Sequence, residues 1–250
     1  MTRRILLVNP NTSSAVTALL AAEARRVVGQ SAEIEAVTAP FGSTFLECRA
    51  ELVVAAHAVL QAIASRDDCD AAVIGAFGDP GLVAAREVAR APVFGLGQSG
   101  LRAVAAKGRR FAIVTVGERL RLDIEAMVGA SGLSGQLTTI RFLSGSVLDI
   151  AERRADFLEA IAAVANACVQ ENGAQAVLLG GAPFAGVPRE LAGRVAAPLF
   201  DGLSSAIEEA IRAPSQARAA AAPPDGAPGK AMAGVAEPLA RCIGEFLGRR

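Results

Sequence analysis

Arg4-Ile5-Leu6-Leu7-Val8-Asn9 reads against Arg110-Phe111-Ala112-Ile113-Val114-Thr115, which begins 106 positions later. Each is a short apolar run with a basic residue before it and a polar residue after it. Such runs suit strands buried on both faces, where alternation is not required. Two further pairs stand at nearly the same spacing. Gly75-Ala76 matches Gly180-Gly181, and Ala91-Pro92-Val93-Phe94 matches Ala197-Pro198-Leu199-Phe200. Three matches in one register point to an internal duplication. Strands are expected at 4–8, 33–37, 72–75, 92–94, 111–115, 138–142, 176–179 and 198–200. Ala-rich stretches of helical period fall between them, at 15–28, 50–64, 82–89, 99–106, 120–128, 154–170 and 204–211. Alternation of this kind predicts an α/β fold with two similar flavodoxin-like lobes and parallel sheets, related by a pseudo-two-fold axis. The first lobe is placed at 1–97. The second lobe, with a returning helix, is placed at 98–212.

Residues 213–250 change character. Ala221-Ala222-Pro223-Pro224-Asp225-Gly226 reads as part of an arm, and Val235, Leu239, Ile243, Phe246 and Leu247 then recur at helical spacing. This tail helix is expected to dock on a lobe or on a neighbouring subunit, so a homo-oligomer is expected.

The composition narrows the function classes. The chain has 250 residues, 52% of them hydrophobic and 20% charged, enough for a sizeable core. Lys+Arg and Asp+Glu both number 25. This balance leaves no electrostatic footprint for nucleic acid. No apolar stretch approaches a membrane span, and the first apolar run is too short for a signal peptide. Cys48, Cys69, Cys168 and Cys242 lie far apart, with no metal-ligand spacing and a single histidine. The expectation is a cytoplasmic protein that takes a small-molecule substrate and uses no metal and no cofactor.

In parallel sheets ligands bind beyond the carboxyl ends of the strands. The loops at 9–13, 76–81, 115–118 and 181–186 are therefore expected around one cleft. Asn9-Pro10-Asn11-Thr12-Ser13 serves equally as a helix cap or as a carboxylate or carbonyl site built on free amides. In Ala76-Phe77-Gly78-Asp79-Pro80-Gly81-Leu82, Asp79 before Pro80 reads first as an N-cap and second as a base at the cleft. Glu118, after the strand ending at Thr115, reads as a helix start, or with Arg119 as a proton-handling pair. Asp201 reads as an N-cap, and His57 as a helix position. Gly95-Leu96-Gly97-Gln98-Ser99-Gly100 matches the dinucleotide fingerprint literally, although its strand is short and sits mid-chain.

The run at 9–13, the Phe77–Leu82 segment and Leu179-Gly180-Gly181-Ala182 together resemble the hydantoin racemase branch of the Asp/Glu racemase superfamily, across nearly all of residues 1–212. The resemblance implies two α/β lobes with the substrate between them, and racemisation by two cysteines on opposite faces of an acidic C–H. The first family cysteine precedes Phe-Gly-Asp-Pro-Gly, where this chain has Ala76. The second follows Leu-Gly, where it has Gly181. Neither side chain can accept or deliver a proton, and Cys48, beside a loop near the family cleft, could serve one face only.

By the same resemblance Asn11, Thr12, Ala76, Phe77, Gly78, Asp79, Thr115, Gly181 and Ala182 are expected to bind a small carboxylate, amino acid or cyclic amide. The catalytic residues are left open, with Asp79 and Glu118, read from their loops, as the candidates to substitute for the thiols. The leading expectation is a cofactor-independent isomerase that does not use two thiols. The alternatives are a non-catalytic binder, or a nicotinamide-dependent enzyme using Gly95–Gly100.

Overall fold

A computed structural model describes residues 2–66, 68–145, 150, 154–214 and 232–248. The first half runs β1 (Arg3–Asn9), α1 (Ser14–Val28), β2 (Ala32–Thr38), α2 (Arg49–Ala64), β3 (Ala71–Ile74), α3 (Leu82–Val88), β4 (Val93–Gly95) and α4 (Leu96–Ala105). The second half runs β5 (Phe111–Thr115), α5 (Arg121–Ala130), β6 (Leu137–Phe142), α6 (Arg154–Asn172), β7 (Ala176–Gly180), α7 (Val187–Glu190), β8 (Leu199–Asp201) and α8 (Gly202–Arg212). The tail helix is α9 (Glu237–Leu247).

Two four-stranded sheets result, ordered β2-β1-β3-β4 and β6-β5-β7-β8, with every pairing parallel. The second order repeats the first, as the duplicated strand ends imply. The inner strands carry the continuous apolar runs. Ile5–Val8 and Phe111–Val114 have no exposed surface, because helices cover both faces of each sheet. The expected strands agree with the observed ones to within a residue or so at each end. Among the helices, α4 starts three residues earlier than periodicity suggested, since Leu96 and Gly97 already belong to it.

The last helix after each sheet crosses to the other one. Leu101, Val104 and Ala105 of α4 pack with Phe111, Ile113 and Leu178 of the second sheet. Leu203, Ala206, Ile207 and Ala210 of α8 pack with Ile5, Leu7 and Val73 of the first. Where α4 and α8 pass, a Cβ on Gly202 would stand 2.6 Å from the Leu96 carbonyl oxygen. Only glycine permits that approach. The exchange makes one body of the two sheets and fixes their carboxyl ends toward each other.

The tail helix packs on its own chain. Leu239 and Cys242 of α9 lie against Ala64 of α2 and Val88 of α3, and Arg90 pairs with Glu245 at 3.5 Å. Leu239 and Cys242 are thus covered in cis, whereas Leu247 at the end of the helix stays exposed. Most of the expected arm at 213–234 lies outside the described residues.

Candidate functional site

The loops after β1, β3, β5 and β7, all inner strands, converge on one cavity of about 80 Å³. A single water needs roughly 10–15 Å³ by the same measure, so the space holds a ligand of several heavy atoms. Asn11, Gly75, Ala76, Phe77 and Gly78 line it from one sheet. Thr115, Val116, Gly180, Gly181, Ala182 and Pro183 line it from the other. Leu46 and Leu52 flank the start of α2, while Leu120, Asp123, Ile124 and Met127 complete the wall.

The first loop is built by asparagine side chains. Asn9 Nδ2 donates to Asn11 Oδ1 at 2.8 Å, to Ser13 O at 3.0 Å and to Thr17 Oγ1 at 3.0 Å. The Ser13 N–H also donates to Asn11 Oδ1, at 2.9 Å, and that contact fixes which end of the Asn11 amide is oxygen. Asn11 is 5% exposed and lines the cavity. Its Nδ2 finds no acceptor among the described residues. A buried unpaired donor of this kind costs about 1–3 kcal/mol unless something fills the place.

The third-strand loop leaves more donors. Gly75 N is used on Val8 O at 2.7 Å, and Asp79 N on Ala76 O at 3.1 Å. The N–H groups of Ala76, Phe77 and Gly78 have no acceptor among the described residues, and neither do those of Gly181 and Ala182. Gly181 sits at φ 140°, ψ 150°, a region open to glycine alone. Thr115 lines the cavity but spends its hydroxyl on Gly180 O at 2.6 Å, tying the two loops of that sheet together. In sum, backbone N–H groups from both sheets and one side-chain amide meet a largely apolar wall. That arrangement suits a ligand with carbonyl or carboxylate oxygens and an apolar body.

Asp79 does not line the cavity. Its backbone is strained, at φ 46°, and its carboxylate accepts from Gly97 N at 2.8 Å and Gln98 N at 2.7 Å. It therefore caps α4 rather than α3, whose first residue is Leu82 and not Pro80. Burial pushes its carboxyl up to about 7, against the pull of those two N–H donors and of the Arg86 and Arg102 charges. This geometry also disposes of the dinucleotide reading. The α4 amides that would take a phosphate already hold Asp79, and a Cβ on Gly95 would lie 2.3 Å from its carboxyl carbon.

Glu118 is also away from the cavity, exposed and paired with Arg121 at 3.1 Å. Thr12 sends its N–H to Ser43 O at 3.0 Å and is not in the wall. Cys48 caps α2, and His57 packs edge-on to Phe41 and meets Gln61 at 3.2 Å. Asp201 caps α8 through Ser204 N at 2.8 Å. Burial pushes the Cys69 thiol up to about 11 and raises that of Cys168, so neither is poised as a thiolate.

Asp123 is a residue that sequence reasoning passed over. Among the described residues it is the one ionisable side chain in the cavity wall, and its Oδ1 accepts from Arg49 Nε at 2.8 Å. A signal was available: Leu120, Asp123, Ile124 and Met127 follow an i, i+3, i+4, i+7 spacing, a single face.

Two like parallel α/β lobes with a donor-rich cavity at their facing carboxyl ends define a class of small-molecule proteins. Residues 5–210 match the Asp/Glu/hydantoin racemase family model, and the chain belongs to that family. It is 31% identical over 206 residues to the hydantoin racemase of Paenarthrobacter aurescens, covering 81% of this chain and 87% of that one. Among solved structures it resembles the allantoin racemase of Klebsiella pneumoniae, with 30% identity and a TM-score of 0.80 over 84% of this chain and 86% of that chain. It also resembles the Pseudomonas fluorescens allantoin racemase, with 28% identity and a TM-score of 0.78 over 83% and 88%. Among the described residues no helix is long and apolar enough to cross a membrane.

Proposed function

We propose that the cavity binds a small cyclic amide or carboxylate with an apolar substituent, and that the chain does not racemise it by two-thiol proton transfer. The observation that carries this reading is the cavity wall. Ala76 and Gly181 stand at the two positions where the resemblance puts cysteines, and among the described residues the only sulfur in the wall is the Met127 thioether. The unpaired N–H groups at 76–78 and 181–182, with Asn11 Nδ2, favour carbonyl or carboxylate oxygens. Leu46, Leu52, Phe77, Ile124 and Met127 favour an apolar side group. Without two thiols the pocket is roomier and less polar, so a bulkier substituent than a simple hydantoin carries is accommodated.

Racemases acting on hydantoin and allantoin are among the similar proteins, so 5-substituted hydantoins are the first probes. Calorimetric titration with 5-benzylhydantoin tests the reading. Binding to the wild type is expected, weakened about three- to tenfold by Asn11→Ala and removed by Ala76→Leu, which fills the cavity. Equal binding to Ala76→Leu, or none to the wild type, contradicts it.

A further inference from the structure

Resting on that reading of the cavity, we propose that Asp123 is its single proton-transfer group, and that the chain exchanges an acidic C–H of the bound molecule with solvent on one face, without inversion. Three observations meet at this residue. It is the one ionisable side chain in the wall among the described residues. Its Oδ1 is held by Arg49, which starts α2 of the opposite lobe, so the carboxylate is not free to rotate. Its Oδ2 has no partner among the described residues and remains available to a ligand.

The chemistry balances with nothing added. The C–H bond α to a bound carbonyl breaks, its proton passes to Asp123 Oδ2, and the electron pair moves onto the carbonyl oxygen. The unpaired N–H groups at 76–78 and 181–182 stabilise that oxyanion. The carboxyl proton exchanges with solvent, and a deuteron from D2O returns to the same carbon from the same side. Inversion needs a second proton-transfer group on the far face, and among the described residues the wall holds no other ionisable side chain. One-face chemistry returns the same enantiomer, now carrying deuterium at that carbon.

The test uses the full chain and optically pure 5-benzylhydantoin in D2O. Deuteration is followed by NMR, enantiomeric composition by chiral chromatography and binding by calorimetry, against a buffer blank. The expected result is deuteration above the blank with retained configuration. Asp123→Asn should lower that excess by about 10²-fold or more while binding persists. Arg49→Ala should lower it less, with Asp123 left in place but unoriented. Excess deuteration unchanged in Asp123→Asn, inversion keeping pace with deuteration, or binding without any excess deuteration overturns the proposal and leaves the binding reading standing. Failure of the wild type to bind overturns both.

Discussion

Asp79, in the loop that lines one side of the cavity, holds the first turn of α4 by accepting the Gly97 N–H at 2.8 Å. The adjoining Gln98 N–H completes the clasp at 2.7 Å. Because α4 packs on the second sheet, this carboxylate couples the 76–81 loop of one lobe to the framework of the other. Asp79→Ala strands two amides at a helix start and is expected to cost about 1–3 kcal/mol in urea unfolding. A cost below about 0.5 kcal/mol contradicts the clasp.

The clasp has a steric counterpart at Gly95. A methyl there would meet the Asp79 carboxylate at 2.3–2.5 Å, and no other atom lies as close to it. Gly95→Ala is expected to destabilise by about 1–3 kcal/mol, most of it absent in an Asp79→Ala background. Additive effects in that double-mutant cycle contradict the contact.

Stability should also carry an Asp79 titration. Its carboxyl sits at about 7 in the folded chain, against roughly 3.9 for an unfolded aspartate. Between about pH 4 and pH 7 the native state therefore holds more protons than the unfolded one, and this group's contribution falls as pH rises. Asp79→Asn cannot titrate. The stability of the wild type relative to this variant should thus be greater at pH 5 than at pH 7.5. Parallel pH curves for the two proteins contradict the assignment.

These relationships show where the sequence was legible. Strand ends such as Val8, Ile74, Val114 and Leu179 stand out because burial on both faces writes a continuous apolar run, and the duplication fixes their order. Convergence of the loops that follow them is a consequence of parallel topology. Capping logic looks three residues ahead of Asp79, whereas its partners lie 18 and 19 residues on, brought near by the β3–β4 pairing. Asp123 by itself gives no such signal, because a charge in an amphipathic helix ordinarily faces water. The opposite lobe, which brings Leu46 and Leu52 to the same cavity, turns that face into a wall.

The tail helix carries a separate expectation. Leu239 is 3% exposed against Ala64 and Val88, so Leu239→Ala should cost about 2–5 kcal/mol if α9 unfolds with the rest of the chain. Unchanged unfolding means that the helix is not docked on this lobe.

Restoring two thiols should restore inversion. Ala76→Cys enters an unstrained turn, whereas Gly181→Cys must force a side chain into φ 140° at about 1–3 kcal/mol. The double variant is expected to racemise an optically pure hydantoin and either single variant to do so little, because inversion needs an acid and a base on opposite faces at once. A folded double variant that binds the hydantoin without inverting it contradicts the placement of Ala76 and Gly181.

A ligand cavity without two-thiol chemistry is put to the proof by the optical rotation of enantiopure 5-benzylhydantoin held at saturating wild-type protein. Binding is expected, with a rotation that decays no faster than in buffer alone. Enzyme-dependent loss of rotation to zero by the unmodified chain would contradict it.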